Sequence, residues 1–299
     1  MASIAERSGA MMSRVLVVLL LASLCATWRV AVAADPKRGE YLVRAGGCLG
    51  CHTAEGKGAT PFAGGRPLKT PFGTFYGPNI TPHPQAGIGR WTEADFINAM
   101  RHGRRPDGAN YFPAFPYPSF TKIADSDLSD LWAYLRTLPP NSRANQPHNL
   151  RFPYGWRFLV TFWKWLFFTP GAFAPAPGTS PTVNRGAYLA QALGHCGECH
   201  TPRNFLGGPV SRRFLAGGDS GPDGRSAPNL TPASLGTWSD ANLRALLVNG
   251  MTPDDDTVSE SMAEVVRNTT SQLTPGDLAA LIAYLRALQP IADGPKAKK

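Results

Sequence analysis

The chain is short of cysteine. Five occur in 299 residues, and one of them, Cys25, lies in an apolar stretch near the start. The other four, Cys48, Cys51, Cys196 and Cys199, fall in two short motifs, so nothing is left over for a structural disulfide. Methionine is sparse as well: after residue 34 only Met100, Met251 and Met262 occur. Long apolar runs are missing apart from VLVVLLLASLCATW from Val15. The aromatic stretch WRFLVTFWKWLFF spans 13 residues and contains Arg157 and Lys164, which makes it too short and too charged to cross a bilayer. No run alternates apolar and polar residues as a half-buried strand would. No serine or cysteine sits in a nucleophile setting, and the acidic run TPDDD reads as a solvated loop, which leaves hydrolytic chemistry without a candidate site.

What is present begins with an export signal over residues 1–34. Arg7 and Arg14 supply positive charge, the run from Val15 supplies the apolar core, and Ala31-Val32-Ala33 offers a cleavage site. Arg29 interrupts the usual order and leaves an uncleaved N-terminal anchor as the alternative. Leu24 is too bulky for the position before a lipidated Cys25. An exported chain meets an oxidising environment in which unpaired thiols are a hazard, so all four remaining cysteines are expected to be consumed. Net charge is +9 over the full chain; without residues 1–34 there are 27 basic and 20 acidic side chains, a net +7. Such a surface favours acidic partners or membrane surfaces. The scatter of the basic residues, together with export, argues against nucleic-acid binding.

The four cysteines lie in AGGCLGCHTAEG (residues 45–56) and LGHCGECHTPRN (residues 193–204), each of the form Cys-x-x-Cys-His. Three readings compete. A zinc ribbon brings two cysteine pairs about 15–20 residues apart round one ion, whereas 144 residues separate Cys51 from Cys196. A dithiol redox site has no use for the histidine. Covalent haem uses every group: the thiols add across the two vinyls as thioethers, and His52 or His200 swings its imidazole under the iron.

Aligning the motifs exposes a repeat. RGEYLVRAGGCLGCH matches RGAYLAQALGHCGECH with one residue inserted, GPNITP matches APNLTP, RWTEADFINAMRHG matches TWSDANLRALLVNG at an offset of 147, and DLSDLWAYLRTLPP matches DLAALIAYLRALQP at an offset of 150. Two copies of a unit of about 110 residues follow. Each unit reads as helices joined by Gly- and Pro-rich loops: Leu128, Leu131, Trp132, Leu135 and Leu138 make one helical stripe, as do Leu278, Leu281, Ile282, Leu285 and Leu288. Thr274-Pro275 reads as an N-cap followed by a first-turn proline.

An opening helix ending in Cys-x-x-Cys-His, a Pro-Asn loop, a middle helix and a closing helix with Leu-x-x-Tyr-Leu resembles the class I cytochrome c fold. The tandem copies, LGHCGECHTPRN and FPYGWRFLVTFWKWLFFTPGAF further resemble cytochrome c subunits of bacterial membrane-associated dehydrogenases of the alcohol and gluconate type. Those subunits carry three haem motifs; this chain has two and ends at Lys299 without a membrane-binding tail. The expected fold is all-α: a signal (1–34), a first cytochrome c domain (35–140), an aromatic- and Pro-rich connecting segment (141–182), a second domain (183–291) and a tail (292–299).

The resemblance implies two covalently bound haem c groups, with Cys48 and Cys51, and Cys196 and Cys199, as attachment points and His52 and His200 as iron ligands. It also implies that the carbonyls of Pro78 and Pro228 accept a hydrogen bond from the second ring nitrogen of each histidine, with loop shaping as the plainer role of those prolines. Trp91 and Trp238, at matching positions, are candidates for propionate donors or for simple core packing. The sixth iron position in this fold is usually a methionine from the loop before the closing helix, and ESMAEVV places Met262 there. Met251 rivals it without the support of the offset. The counterpart of Met262 is Phe115, whose ring cannot ligate iron. Met100 reads as core packing, His102 as a solvated helix end, His83 and His148 as weaker loop candidates, and His195 as a surface or edge residue.

The connecting segment is expected to pack as an amphipathic helix across both domains, or else to present an apolar face to a partner or to lipid. Function then reads as an exported dihaem electron carrier and no enzyme by itself, periplasmic, soluble or peripherally attached to the inner membrane. It would take electrons from a dehydrogenase subunit and deliver them to a respiratory acceptor. The rival is a haem enzyme, peroxidase-like or acting on a small inorganic substrate, with the first haem open. A gas sensor lacks an output domain.

Overall fold

The computed structural model describes residues 33–218 and 226–294. Cys25 and nearly all of the expected signal lie outside the described residues, as does the end of the expected tail. Asp35 accepts a hydrogen bond from the Lys37 amide, and Pro36 presets the first helical φ, so helix α1 runs Pro36–Ala45. Gly47 then turns the chain at φ 63° into the short motif helix α2, Cys48–His52. Strands β1 (Pro67–Thr70) and β2 (Gly73–Tyr76) form an antiparallel hairpin. A capping box between Thr92 and Asp95 starts α3 (Glu93–His102), which ends on Gly103 at φ 57°. After α4 (Tyr117–Phe120) comes the closing helix α5 (Asp125–Thr137).

The connecting segment adds β3 (Asn149–Leu150) to the edge of β2 and continues into α6 (Arg157–Phe167). The second repeat follows with α7 (Pro181–Tyr188), motif helix α8 (Gly197–His200), a two-stranded sheet of β4 (Ala216–Gly218) and β5 (Ala227–Asn229), and α9 (Pro232–Leu235). Next come α10 (Asp240–Asn249), started by a second capping box between Ser239 and Asn242, then α11 (Glu260–Asn268) and the closing helix α12 (Pro275–Ala287). Thr274 caps α12 by accepting from the Asp277 amide, with Pro275 at its first position.

The short strands were not among the expected elements. They run two to four residues each, too few for period-two patterning to register in the sequence. The fold remains helix-rich.

The one-residue insertion in the second repeat has a physical form. Between α7 and the second motif the chain makes a π-helical turn over Leu189–Leu193. A single extra residue in a helix is absorbed as such a bulge, which keeps the motif in register with its copy. His195 then occupies the place of Gly47 and takes a positive φ of 38°, an uncommon conformation for a side chain with a Cβ.

In each repeat the opening helix crosses the closing helix at a glycine. A Cβ on Gly39 would lie 1.9 Å from the Asp130 carbonyl oxygen, and one on Gly186 would lie 1.9 Å from that of Ala280. The first core gathers Leu42, Val43, Phe96, Met100, Leu128 and Leu131, and it also takes in Tyr188, Leu189 and Leu193 from the second repeat. The second core holds Leu243, Leu247, Leu278, Leu281 and Leu285.

Across this shared boundary the repeats exchange equivalent bonds. The Tyr41 hydroxyl donates to Asp277, and the Tyr188 hydroxyl donates to Asp127 at 2.7 Å. Within each repeat the same carboxylates are held by an arginine: Arg38 pairs with Asp127 and Asp130, and Arg185 pairs with Asp277 at 2.7 Å.

Helix α6 is held asymmetrically. It packs by one side only, through Val160, Arg157 and Lys164, mainly onto the first repeat, and Phe167 reaches Gly208 of the second. Its opposite side is exposed.

Candidate functional site

Each motif helix presents its cysteines and histidine on one turn, and each histidine is held from behind. His52 Nδ1 lies 2.7 Å from the Pro78 carbonyl oxygen, and His200 Nδ1 lies 2.8 Å from that of Pro228. A carbonyl only accepts, so Nδ1 carries the proton and Nε2 keeps its lone pair. Burial pushes the pKa of both imidazoles down, against the opposing pull of the proline carbonyls. Both rings therefore stay neutral, the form that ligates a metal.

The loops that hold these prolines are tied down twice. A Cβ on Gly77 would sit 1.7 Å from the Cys51 carbonyl oxygen, and one on Gly218 would sit 1.9 Å from that of Cys199, so each loop lies directly on its motif helix. The buried amide of Asn79 donates to the carbonyls of Asn141 (2.8 Å) and Arg143 (3.1 Å) and accepts from the Thr81 amide. Asn229 does the same in the second repeat, donating to the Ile291 carbonyl (2.7 Å) and accepting from the Thr231 amide. These glycines and asparagines are positioning residues that sequence reasoning passed over. The only signal was the shared Pro-Asn-x-Thr of GPNITP and APNLTP, and Gly218 has no counterpart in it because β4, rather than the residue before the proline, supplies the close approach.

Burial pushes the Cys48 thiol up to about 12 and those of Cys51 and Cys196 up to about 11. Among the described residues no three His, Cys, Asp or Glu side chains converge as a ligand set for an ion. The two motifs also lie beside one another. A Cβ on Gly46 would lie 3.8 Å from the Leu193 carbonyl oxygen, and one on Gly47 would lie 4.0 Å from His195 Nε2; Arg66 bridges to Glu264 at 2.8 Å and Ser119 donates to Glu198 at 2.7 Å.

His195 is not an edge residue. It is half-buried at the junction of the repeats, with its ring against Phe120 at 5.5 Å and its Nε2 4.0 Å from where a Cβ of Gly47 would be.

The candidate sixth ligands are placed as follows. Met262 lies half-buried in the first turn of α11, so the expected loop is helical there. Phe115 sits in an aromatic cluster with Tyr111 at 5.2 Å, Phe120 at 5.7 Å and Tyr117 at 6.3 Å. Met100 packs in the first core and Met251 is exposed. His83 Nδ1 accepts from the Ala86 amide and His148 Nδ1 from the Tyr76 amide. The His102 carbonyl is held by Lys164. Trp91 and Trp238 pack against the cores of their own repeats.

The residues fit a thioether-linked haem. Each site offers two thiols three residues apart, a neutral imidazole with one nitrogen fixed and the other available, and an apolar surround. One further observation agrees: the Tyr117 hydroxyl, fully enclosed, has no hydrogen-bond partner among the described residues. An orphaned buried donor is expected where a group with acceptor oxygens completes the interior.

Comparison with known proteins places the chain. The family model for cytochrome c matches residues 36–139. A diheme cytochrome c-type protein of Cereibacter sphaeroides is 44% identical over 291 residues, covering 92% of this chain and 97% of that protein. The gluconate 2-dehydrogenase cytochrome c subunit of Pantoea cypripedii is 38% identical, covering 90% of this chain and 64% of the subunit. The cytochrome c subunit of a quinone alcohol dehydrogenase from Gluconacetobacter polyoxogenes is 39% identical, covering 85% and 56% respectively. This chain thus spans little more than half to two thirds of the length of those dehydrogenase subunits.

Proposed function

The chain belongs to the cytochrome c family, and on that premise we propose that it is an exported dihaem electron carrier. It takes electrons from a periplasmic or membrane-bound dehydrogenase and passes them to a respiratory acceptor. The cofactor is covalently bound haem c, whose iron supplies reversible one-electron chemistry when bound. Cys48, Cys51, Cys196 and Cys199 are the attachment points in this reading, and His52 and His200 the proximal ligands. Residues 35–140 and 183–291 form the two haem domains, joined by 141–182.

The polypeptide orients and insulates. Pro78 and Pro228 fix the histidine tautomers and make the imidazoles more basic ligands. Asn79 and Asn229 hold those carbonyls in place. His200 is buried while His52 and the four cysteines are half-buried, and the apolar side chains packed round each motif limit water there, which tunes the potential.

The single observation that carries this reading is the adjacency of the two Cys-x-x-Cys-His turns, each with its histidine locked by a proline carbonyl, across a boundary tied by side-chain bonds from both repeats. Two redox groups held side by side suit transfer within one chain. The relatives named as dehydrogenase cytochrome subunits support a dehydrogenase as donor.

Met262 is the sixth ligand of the second haem in this reading. Ferric protein from a cytochrome-maturing host should show the far-red absorption band of methionine ligation, and Met262→Ala should abolish it; a band that persists overturns the assignment.

Phe115 and its aromatic neighbours favour a second reading, in which the first haem lacks a methionine and acts on a small ligand. Carbon monoxide uptake by half of the reduced haem would support it, and none would remove it.

A further inference from the structure

We propose that the ion pair between Arg66 of the first repeat and Glu264 of the second is a positioning device for the sixth ligand of the second haem. The inference rests on the reading of Met262 as that ligand. Arg66 Nη2 donates to Glu264 Oε2 at 2.8 Å, and the two side chains are 25% and 23% exposed. A pair so enclosed is screened by salt far less than one on the open surface.

Both partners are fixed to the first motif. Arg66 belongs to the loop that lies on it: the Gly64 amide donates to the His52 carbonyl at 2.8 Å, the Gly65 amide to the Gly77 carbonyl at 2.8 Å, and the Gly77 amide to the Arg66 carbonyl at 2.9 Å. Glu264 stands in α11 of the second repeat, yet its Oε1 lies 3.3 Å from where a Cβ of Gly50 would be, so the carboxylate rests on motif helix α2. At the C-cap of α11, Thr269 Oγ1 comes within 3.0 Å of where a Cβ of Gly47 would be. Helix α11 is therefore laid against the first motif from Glu264 to its end.

Met262 rides on the same helix. At about 3.6 residues per turn, positions two apart differ by about 200°, which puts Met262 on the side of α11 away from Glu264 and the first motif. The grip of the first repeat and the ligand of the second are thus carried on opposite sides of one short helix. Loosening the grip shifts the backbone from which the thioether reaches.

The crossing is built a second time with other residues. At the offset of 147, Phe115 and Tyr117 are the counterparts of Met262 and Glu264. From α4, which begins at Tyr117, Ser119 donates to Glu198 of the second motif at 2.7 Å. Glu198 stands where the first motif has Gly50. Each motif thus has one carboxylate at this place, Glu198 from its own turn and Glu264 from the other repeat, and each joins the motif to the ligand segment of the opposite repeat.

The test is titration of the ferric holoprotein with imidazole, which competes for the sixth position, followed at the far-red band of methionine ligation. Arg66→Gln and Glu264→Gln lie on opposite sides of the boundary. Each should lower the imidazole concentration that removes half of the band, by about two- to fivefold, the scale of a partly exposed ion pair. The double variant should go no further than either single one. Glu55→Gln is the control: Glu55 approaches Nε of the same guanidinium at 3.3 Å from within the first repeat, and its loss should leave the half-point in place.

Half-points unmoved in both glutamine variants, or lowered as much by Glu55→Gln, overturn the proposal. So does a lower global denaturation midpoint with an unchanged half-point, the mark of a pair that only fastens the repeats together. The ligand reading fails differently, by a wild type without the band or by a band that survives Met262→Ala, and it takes this proposal with it. A band abolished by Met262→Ala but indifferent to Arg66→Gln and Glu264→Gln removes the positioning role alone.

Discussion

Gly77 has no room for a methyl group, because the Cys51 carbonyl oxygen lies where it would go. Gly77→Ala must therefore move the Pro78 loop off the motif helix. The expected cost is about 1–3 kcal/mol, in the range of overpacking, read as a lower denaturation midpoint together with a perturbed spectrum of one haem. Asn229→Ala leaves the Thr231 amide without its side-chain partner and the Ile291 carbonyl with only the longer 3.3 Å bond from the Thr231 hydroxyl. Loss of about 1–3 kcal/mol is expected, the penalty of unsatisfied buried polar groups, measured by chemical denaturation. At this scale the sequence was legible wherever the chemistry is local. Cys48, Cys51 and His52 are neighbours along the chain, so their spacing speaks for itself. Gly218 and His195 act through atoms far away in sequence, and nothing next to them announces it.

At the scale of elements, the helix starts were readable because a cap is a short-range event: the Thr274 side chain and Pro275 sit one after the other and bond within one turn. The strands were not, since their two to four residues pair through backbone groups indifferent to side-chain pattern. The amphipathic character of α6 was plain, but which side faces inward depended on Asn110 and the His102 carbonyl, contributed by another part of the chain.

That attachment has a titration signature. Burial, aided by Arg104, pushes Lys164 down to about 8, below the ordinary lysine value of about 10.4. Between these values the unfolded chain binds the proton more tightly, so stability contributed at this site rises with pH through the window from about 8 to about 10.4. Lys164→Met should remove this component, seen as a shrinking difference between the variant's and wild type's unfolding free-energy curves against pH across that window.

For the whole molecule, the boundary between the repeats is the decisive structure. A double-mutant cycle on Tyr188→Phe and Asp127→Asn should return a coupling of about 1–3 kcal/mol, as for hydrogen bonds to charged groups. Although burial raises it, Arg185 and Tyr41 hold the Asp277 carboxyl below its ordinary range. A depressed carboxylate stabilises fully above its unfolded pKa of about 3.9 and loses that contribution as pH falls through its folded value. Acid unfolding monitored by tertiary signals should thus begin as pH drops below about 4, and Asp277→Asn should be less stable at neutral pH and less sensitive to acid.

The reciprocity of the bonds says something further. Tyr41 reaches Asp277 while Tyr188 reaches Asp127, the self-complementary pattern that two identical subunits make about a two-fold axis. A contact of that kind, once its halves share a single polypeptide, no longer depends on how many molecules are present to meet. A pairing that two separate units would lose on dilution is retained here at any concentration.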